Sequence, residues 1–128
     1  MNSPTEGELA ILRILWAGGP ATVRAVNERL NAESDKEIGY TTTLKLMQLM
    51  ADKGLVNRDT SSRSHVYTAA AGRERTQQGL LRRFVESTFG GDRTQLVLRA
   101  LGDGGTTPEE LARIKQLIAD LEKRDDHA

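Results

Sequence analysis

The chain has 128 residues, 38% of them hydrophobic and 28% charged, with 18 Lys/Arg against 18 Asp/Glu and no cysteine. That length buries one modest core, or one small domain and an appendage, and the lack of cysteine removes disulfides, thiolate metal sites and cysteine nucleophiles together. No apolar run approaches the roughly 20 residues of a membrane span and no basic-then-apolar leader opens the chain, so a soluble, cytoplasmic protein is expected.

In chain order, Thr5 with Glu8 fits a capping box at the start of a first helix, with Ser3 and Glu6 as a second register. Leu9, Leu12, Leu15 and Trp16, flanked by Ile11 and Ile14, give that helix a wide apolar face, and Trp16 is expected to anchor the core. Ala17-Gly18-Gly19-Pro20 breaks it. Thr22 caps a second helix that turns Val23, Val26 and Leu30 inward, and residues 31–39 read as a polar, acidic loop.

The next helix, about residues 42–53, carries the most information. Thr41 is its expected N-cap, and Thr43, Leu46, Met47 and Met50 recur at helical spacing as one apolar face. Lys53 falls in the last turn, where the carbonyl end of the dipole favours a cation, and Gly54 supplies a left-handed stop. Thr41, Thr42, Leu44 and Lys45 lie at the N-terminal end, mostly off the stripe, the end that recognition helices present to base edges. Two short strands follow, residues 55–58 and 65–69, around a turn-rich tip at 59–64. Arg58 and Arg63 belong to this hairpin, within reach of a flanking DNA backbone. A capped helix followed at once by a basic hairpin is the layout of a winged helix-turn-helix.

Ala69-Ala70-Ala71-Gly72 forms a small-residue joint, which divides the chain into a winged-helix domain, residues 1–71, and a helical domain, residues 72–128. Three helical patterns fill the second part. The first, about residues 73–89, ends at Gly90-Gly91; the second starts behind Asp92 with Gln95 and stops at Gly102; the third opens with Thr107-Pro108-Glu109-Glu110. Leu111, Ile114, Ile118 and Leu121 make a narrow seam of the kind that needs a partner helix, and a second copy of the chain is the expected partner. The fold class is therefore mainly α with a small β wing: a winged helix-turn-helix followed by a helical dimerisation region.

Net charge is zero overall, yet residues 38–83 carry eight Lys/Arg against three Asp/Glu, a local +5 that can grip phosphate. Chemistry-bearing constellations are missing. His65 and His127 stand far apart without ligand spacing, so no metal is expected. The glycine pairs are helix stops rather than phosphate loops, and Ser61, Ser62 and Ser64 have no base or elbow sequence around them. No enzyme, cofactor or small-molecule substrate is expected.

The chain resembles the penicillinase-repressor family of transcriptional regulators, the BlaI/MecI group. The resemblance rests on Thr5-Glu6-Gly7-Glu8 with the run from Ile11 to Trp16, on Tyr40 through Met47, on Asp52-Lys53-Gly54-Leu55-Val56, on Arg63 to Tyr67, and on Phe89-Gly90-Gly91 ahead of Leu96-Val97-Leu98. It implies a homodimer that binds a double-stranded DNA operator with dyad symmetry and represses. It also implies a membrane-bound sensor with a metallopeptidase domain as a partner, proteolytic inactivation and target genes of antibiotic resistance. Copper sensing through C-terminal cysteines, known in a related branch, is excluded here. Thr41, Thr42, Leu44 and Lys45 fall on the family's base-facing positions. Leu44 stands where some members have an arginine, and a leucine can touch a thymine methyl but cannot fork onto guanine; Leu49 stands where arginine is common, which loses a phosphate contact or exposes an apolar spot. The family's cleaved Asn-Phe bond corresponds to Arg99-Ala100, which becomes the candidate cleavage site. Two rival readings are a winged-helix module that contacts protein and a ligand-responsive repressor without proteolysis.

Overall fold

A computed structural model describes residues 3–126. The chain runs α1 (Glu6–Gly18), β1 (Ala21–Thr22), α2 (Val23–Glu33), α3 (Tyr40–Asp52), β2 (Val56–Asp59), β3 (Val66–Ala69), α4 (Arg73–Phe89), α5 (Arg93–Gly102) and α6 (Pro108–Asp126). It divides into two compact units, the first ending at Leu81 and the second beginning at Arg82, so the division falls inside α4.

The first unit is a winged helix-turn-helix. The Thr5 hydroxyl accepts the Glu8 N–H at 3.2 Å while the Glu8 carboxylate accepts the Thr5 N–H at 2.9 Å, which fixes the start of α1 in the first of the two expected registers. Thr22 caps α2 by accepting from the Ala25 N–H at 3.2 Å. Ile11, Leu12, Ile14 and Leu15 of α1 close on Val23, Val26 and Leu30 of α2 and on Met47 and Met50 of α3, with Val56 and Tyr67 sealing the core from the sheet. Burying each large apolar side chain contributes about 1.5–3 kcal/mol. The sheet is antiparallel with β3 in the middle, in the order β1-β3-β2. Tyr67 of β3 points inward and lies opposite both Ala21 and Arg58.

Several local expectations need correction. Thr41 is not an N-cap: the helix already begins at Tyr40, with Gly39 in the cap position and no side-chain cap bond. The Gly39 carbonyl accepts the Thr43 N–H at 3.2 Å, which places Thr41 inside the first turn. Lys53 is the C-cap rather than a last-turn residue, and Gly54 follows with φ 80° as a left-handed stop. Both wing strands begin one residue later than expected. The two-residue strand β1 was not foreseen, being too short to leave a periodic signal. Trp16 is half-buried at the edge of the core and donates its indole N–H to the Ala71 carbonyl at 2.9 Å. Glu8, not Leu9, is fully covered on α1.

The second unit is capped as well as the first but hardly buried. Asp92 accepts the Gln95 N–H at 3.1 Å at the start of α5, and Thr107 and Glu110 form a reciprocal capping box at 3.1 Å each at the start of α6. Gly102 does not stop α5; the helix includes it, and Gly104 takes the left-handed conformation. Phe84 and Phe89 meet edge to face at 5.8 Å. Among the described residues after Leu81, Val85 alone is buried, and α5 and α6 do not pack closely on each other.

Candidate nucleic-acid interface

The outer face of α3 follows from its buried one. Thr43, Met47 and Met50 point into the core. At 100° per residue, Thr41, Lys45 and Gln48 then fall on the opposite side, flanked by Thr42 and Leu49, and all five are exposed. Leu44 sits nearer the core, half-buried against it.

An open cleft of about 330 Å³ runs beside this face. The start of α2 lends it Thr22 and Arg24, α3 lends Tyr40, Leu44 and Gln48, and the hairpin lends Arg58, Arg63, Ser64 and His65, with Tyr67 behind. Three arginines, one from α2 and two from the hairpin, thus converge on one concavity whose lining holds no carboxylate. Guanidinium groups match phosphate oxygens two at a time, and the positive end of the α2 dipole adds to the same field. The wing tip that carries Arg63 is shaped by its own side chains. Asp59 accepts the Ser61 N–H at 2.9 Å, and Ser62 donates its hydroxyl to the Ser64 carbonyl at 2.9 Å. The Ser61 backbone N–H, then its hydroxyl, and more weakly His65 hold the Asp59 carboxyl below its ordinary range.

One basic residue of this region is engaged elsewhere. Lys53 bonds Glu8 at 2.9 Å and so ties the C-terminal end of α3 to the first turn of α1. Burial, the largest influence on Glu8, pushes its carboxyl up. The bonds from Lys53 and from the Thr5 N–H outweigh it, and the group ends below the ordinary glutamate range.

Of the residues proposed from sequence, Leu44, Arg58 and Arg63 meet in the cleft, whereas Thr41, Thr42 and Lys45 lie on α3 outside its lining. Sequence reasoning missed Arg24, Tyr40, Gln48 and His65 as neighbours of this surface. Gln48 was within reach of it, standing three residues after Lys45 on the same helical row. Arg24 was not, since only the tertiary fold brings α2 to the wing.

In the second unit, Arg99 and Ala100 are exposed on α5 and border a shallow depression with Phe89, Leu96 and Asp103. On α6, Leu111, Ile118 and Leu121 are exposed, Ile114 is half-buried, and Leu117 is 55% exposed beside them. No group of three His, Cys, Asp or Glu side chains suited to a metal ion occurs among the described residues, and His127 lies outside them. No described helix is long and apolar enough to cross a membrane.

Two curated relatives, each named transcriptional regulator BlaI and each from a strain of Mycobacterium tuberculosis, are 37% identical over 75 residues, covering 58% of this chain and 53% of theirs. The chain thus spans about half the length of the curated relatives it matches. Two solved structures are more distant. Transcriptional regulator PA4135 is 20% identical with a TM-score of 0.46, over 93% of this chain and 77% of that one. A cysteine-to-serine mutant of ZitR from Lactococcus lactis is 16% identical with a TM-score of 0.42, over 97% and 79%. The profile described as penicillinase repressor matches residues 4–120. With nearly the whole sequence inside that profile, the chain belongs to the penicillinase repressor family, whose members are transcriptional regulators and not enzymes.

Proposed function

We propose that the chain is a homodimeric repressor that binds a dyad operator in double-stranded DNA. The observation that carries this reading is the exposed row of Thr41, Lys45 and Gln48 beside a cleft holding Arg24, Arg58 and Arg63. In this arrangement α3 enters a major groove and its row meets base edges, while the arginines hold the phosphates on either side. Leu44, half-buried, offers a methyl contact at most. Dimerisation joins two such readers through α6, where Leu111, Leu117, Ile118 and Leu121 are open to solvent in the single chain. A joined pair gains over two separate modules through effective concentration, which lifts a weak single-site affinity.

Repression would act in the cytoplasm on resistance genes and end by proteolysis under a membrane-bound sensor metallopeptidase. Arg99–Ala100 is the proposed bond. It lies on α5, a ten-residue helix with no buried residue, and short helices without packing open locally at low cost. Cutting there separates the winged helix from α6.

Selection from a random duplex pool tests the reading. The expected product is an enriched sequence with two-fold symmetry that binds two chains. Arg24→Ala and Arg63→Ala should each flatten the dependence of binding on salt by about one unit, the counterion share of one phosphate contact. A pool that shows no enrichment, or salt slopes that both variants leave unchanged, would exclude this docking.

A further inference from the structure

The start of α3 lacks the side-chain cap found at α1, α2, α5 and α6. The first turns of α1, α2, α5 and α6 each receive a side-chain oxygen, from Thr5, Thr22, Asp92 and Thr107. The first turn of α3 receives none. Two asparagines of α2 hold the approach to it instead. Asn31 Oδ1 accepts the Ile38 N–H at 2.6 Å, and Asn31 Nδ2 donates to the Ile38 carbonyl at 3.1 Å, so one side chain secures both polar groups of one backbone residue. Asn27 Nδ2 donates to the same carbonyl at 3.0 Å and to Thr43 Oγ1 at 2.8 Å. Asn31 also donates to Asn27 Oδ1 at 3.3 Å, which links the two.

This network grips α3 at two points, Ile38 just before the helix and Thr43 one turn inside it. Two points fix both the position of a helix along its axis and its rotation about that axis. The remaining deep anchors of α3 are Met47 and Met50, both fully buried. Methionine is unbranched and adaptable, and its packing has little directional content. Hydrogen bonds are directional, and a rotation of α3 that methionine tolerates would break them. A helix turns 100° per residue, so a small error in phase moves Thr41, Lys45 and Gln48 off their base edges while leaving the neighbouring arginines near phosphate.

We propose that Asn27 and Asn31 are positioning residues for DNA reading. Through Ile38 and Thr43 they set the phase in which α3 presents its outer row, and so govern discrimination between sequences rather than overall grip. This rests on the reading of α3 as the DNA-contacting helix.

The test measures affinity for two probes at a temperature well below melting: a duplex enriched from a random pool by the wild-type protein, and a scrambled duplex of the same composition. Asn31→Ala and the near-isosteric Thr43→Val should lower the ratio of the two affinities about tenfold, comparable to losing one good base contact, with scrambled-duplex affinity changed less than about twofold. Thr43→Ser, which keeps the hydroxyl that Asn27 bonds, should retain the wild-type ratio. If Asn31→Ala does not fold, the Val and Ser variants at Thr43 decide the matter alone. Equal losses on both duplexes, or an unchanged ratio in folded Thr43→Val, would overturn the proposal. Lys45→Ala separates its failure from that of the underlying reading. A ratio unmoved by Lys45→Ala means α3 is not the reader and both fall. A ratio lowered by Lys45→Ala but not by the clamp variants removes only the positioning role.

Discussion

The two compact units have helix ends of similar quality and very different interiors. In the first, Ile11, Val26, Met47 and Met50 are wholly excluded from solvent, and three helices and a sheet close over them. In the second, α5 and α6 begin with side-chain caps as sound as those of α1 and α2, yet Val85 is the one buried residue described there. Caps decide where a helix starts; burial decides whether it stays. The first unit therefore holds its shape by itself, whereas the second keeps apolar surface that a partner helix can cover.

The largest expected effect lies in the first unit. Tyr67→Ala, which removes a ring 1% exposed beneath the wing, should cost about 3–5 kcal/mol in denaturant unfolding. A loss under about 1 kcal/mol would mean that the sheet does not seal this core. Next comes Ile118→Asp on α6. If two α6 helices meet, each protomer loses roughly 1.5–3 kcal/mol of apolar burial and gains an unpaired carboxylate. Sedimentation should then report single chains, with the melting of the winged helix unchanged.

Glu8→Gln is smaller and has a pH signature. It removes an ionic bond between a covered carboxylate and a partly exposed Lys53, worth about 1–2 kcal/mol after allowance for screening on the lysine side. The folded-state pKa of Glu8 is depressed, so its contribution is complete above the unfolded value and is lost as pH falls through the folded one. Wild type and variant should differ steadily near neutrality and converge as pH falls below the ordinary glutamate range. Asp59 and Glu110, also held low by backbone N–H groups, remain in both proteins and cancel in the comparison. A difference independent of pH would contradict the pairing. The smallest effect is a gain. Gly39 has φ −67° and ψ 148°, open to any residue, and a Cβ there meets nothing nearer than Thr42 Oγ1 at 4.0 Å. Gly39→Ser supplies the missing cap and should raise stability by a few tenths of a kcal/mol, read as a small rise in melting temperature.

Local chemistry was legible in the sequence where its partners are close along the chain. Thr5 with Glu8, Thr22, Asp92 with Gln95 and Thr107 with Glu110 all announce helix starts within four residues, and the structure has those starts. Gly54 announces a stop in the same way. What stayed hidden depends on distant partners. Thr41 looked like a cap because the true support of α3 comes from Asn27 and Asn31 on another helix. The capping box gave no sign that Glu8 is buried, because its cation, Lys53, is 45 positions away. Nothing local marks Arg24, which only folding sets beside Arg58 and Arg63. The outer row of α3 was partly visible, since helical phase alone places Lys45 opposite Met47 and Met50.

The division of labour between the units can be tested in one titration. Lys45→Ala and Ile118→Asp are compared with wild type on the enriched duplex and on its scrambled counterpart, following both affinity and the number of chains bound. Lys45→Ala should lower the preference for the enriched duplex by about 1–3 kcal/mol with two chains still bound. Ile118→Asp should weaken affinity, make chains fill the two half-sites independently rather than in one joint step, and retain the base preference. A preference that Lys45→Ala does not touch, or two chains still binding in one joint step with Ile118→Asp, would contradict the claim that the first unit reads DNA and the second joins the readers.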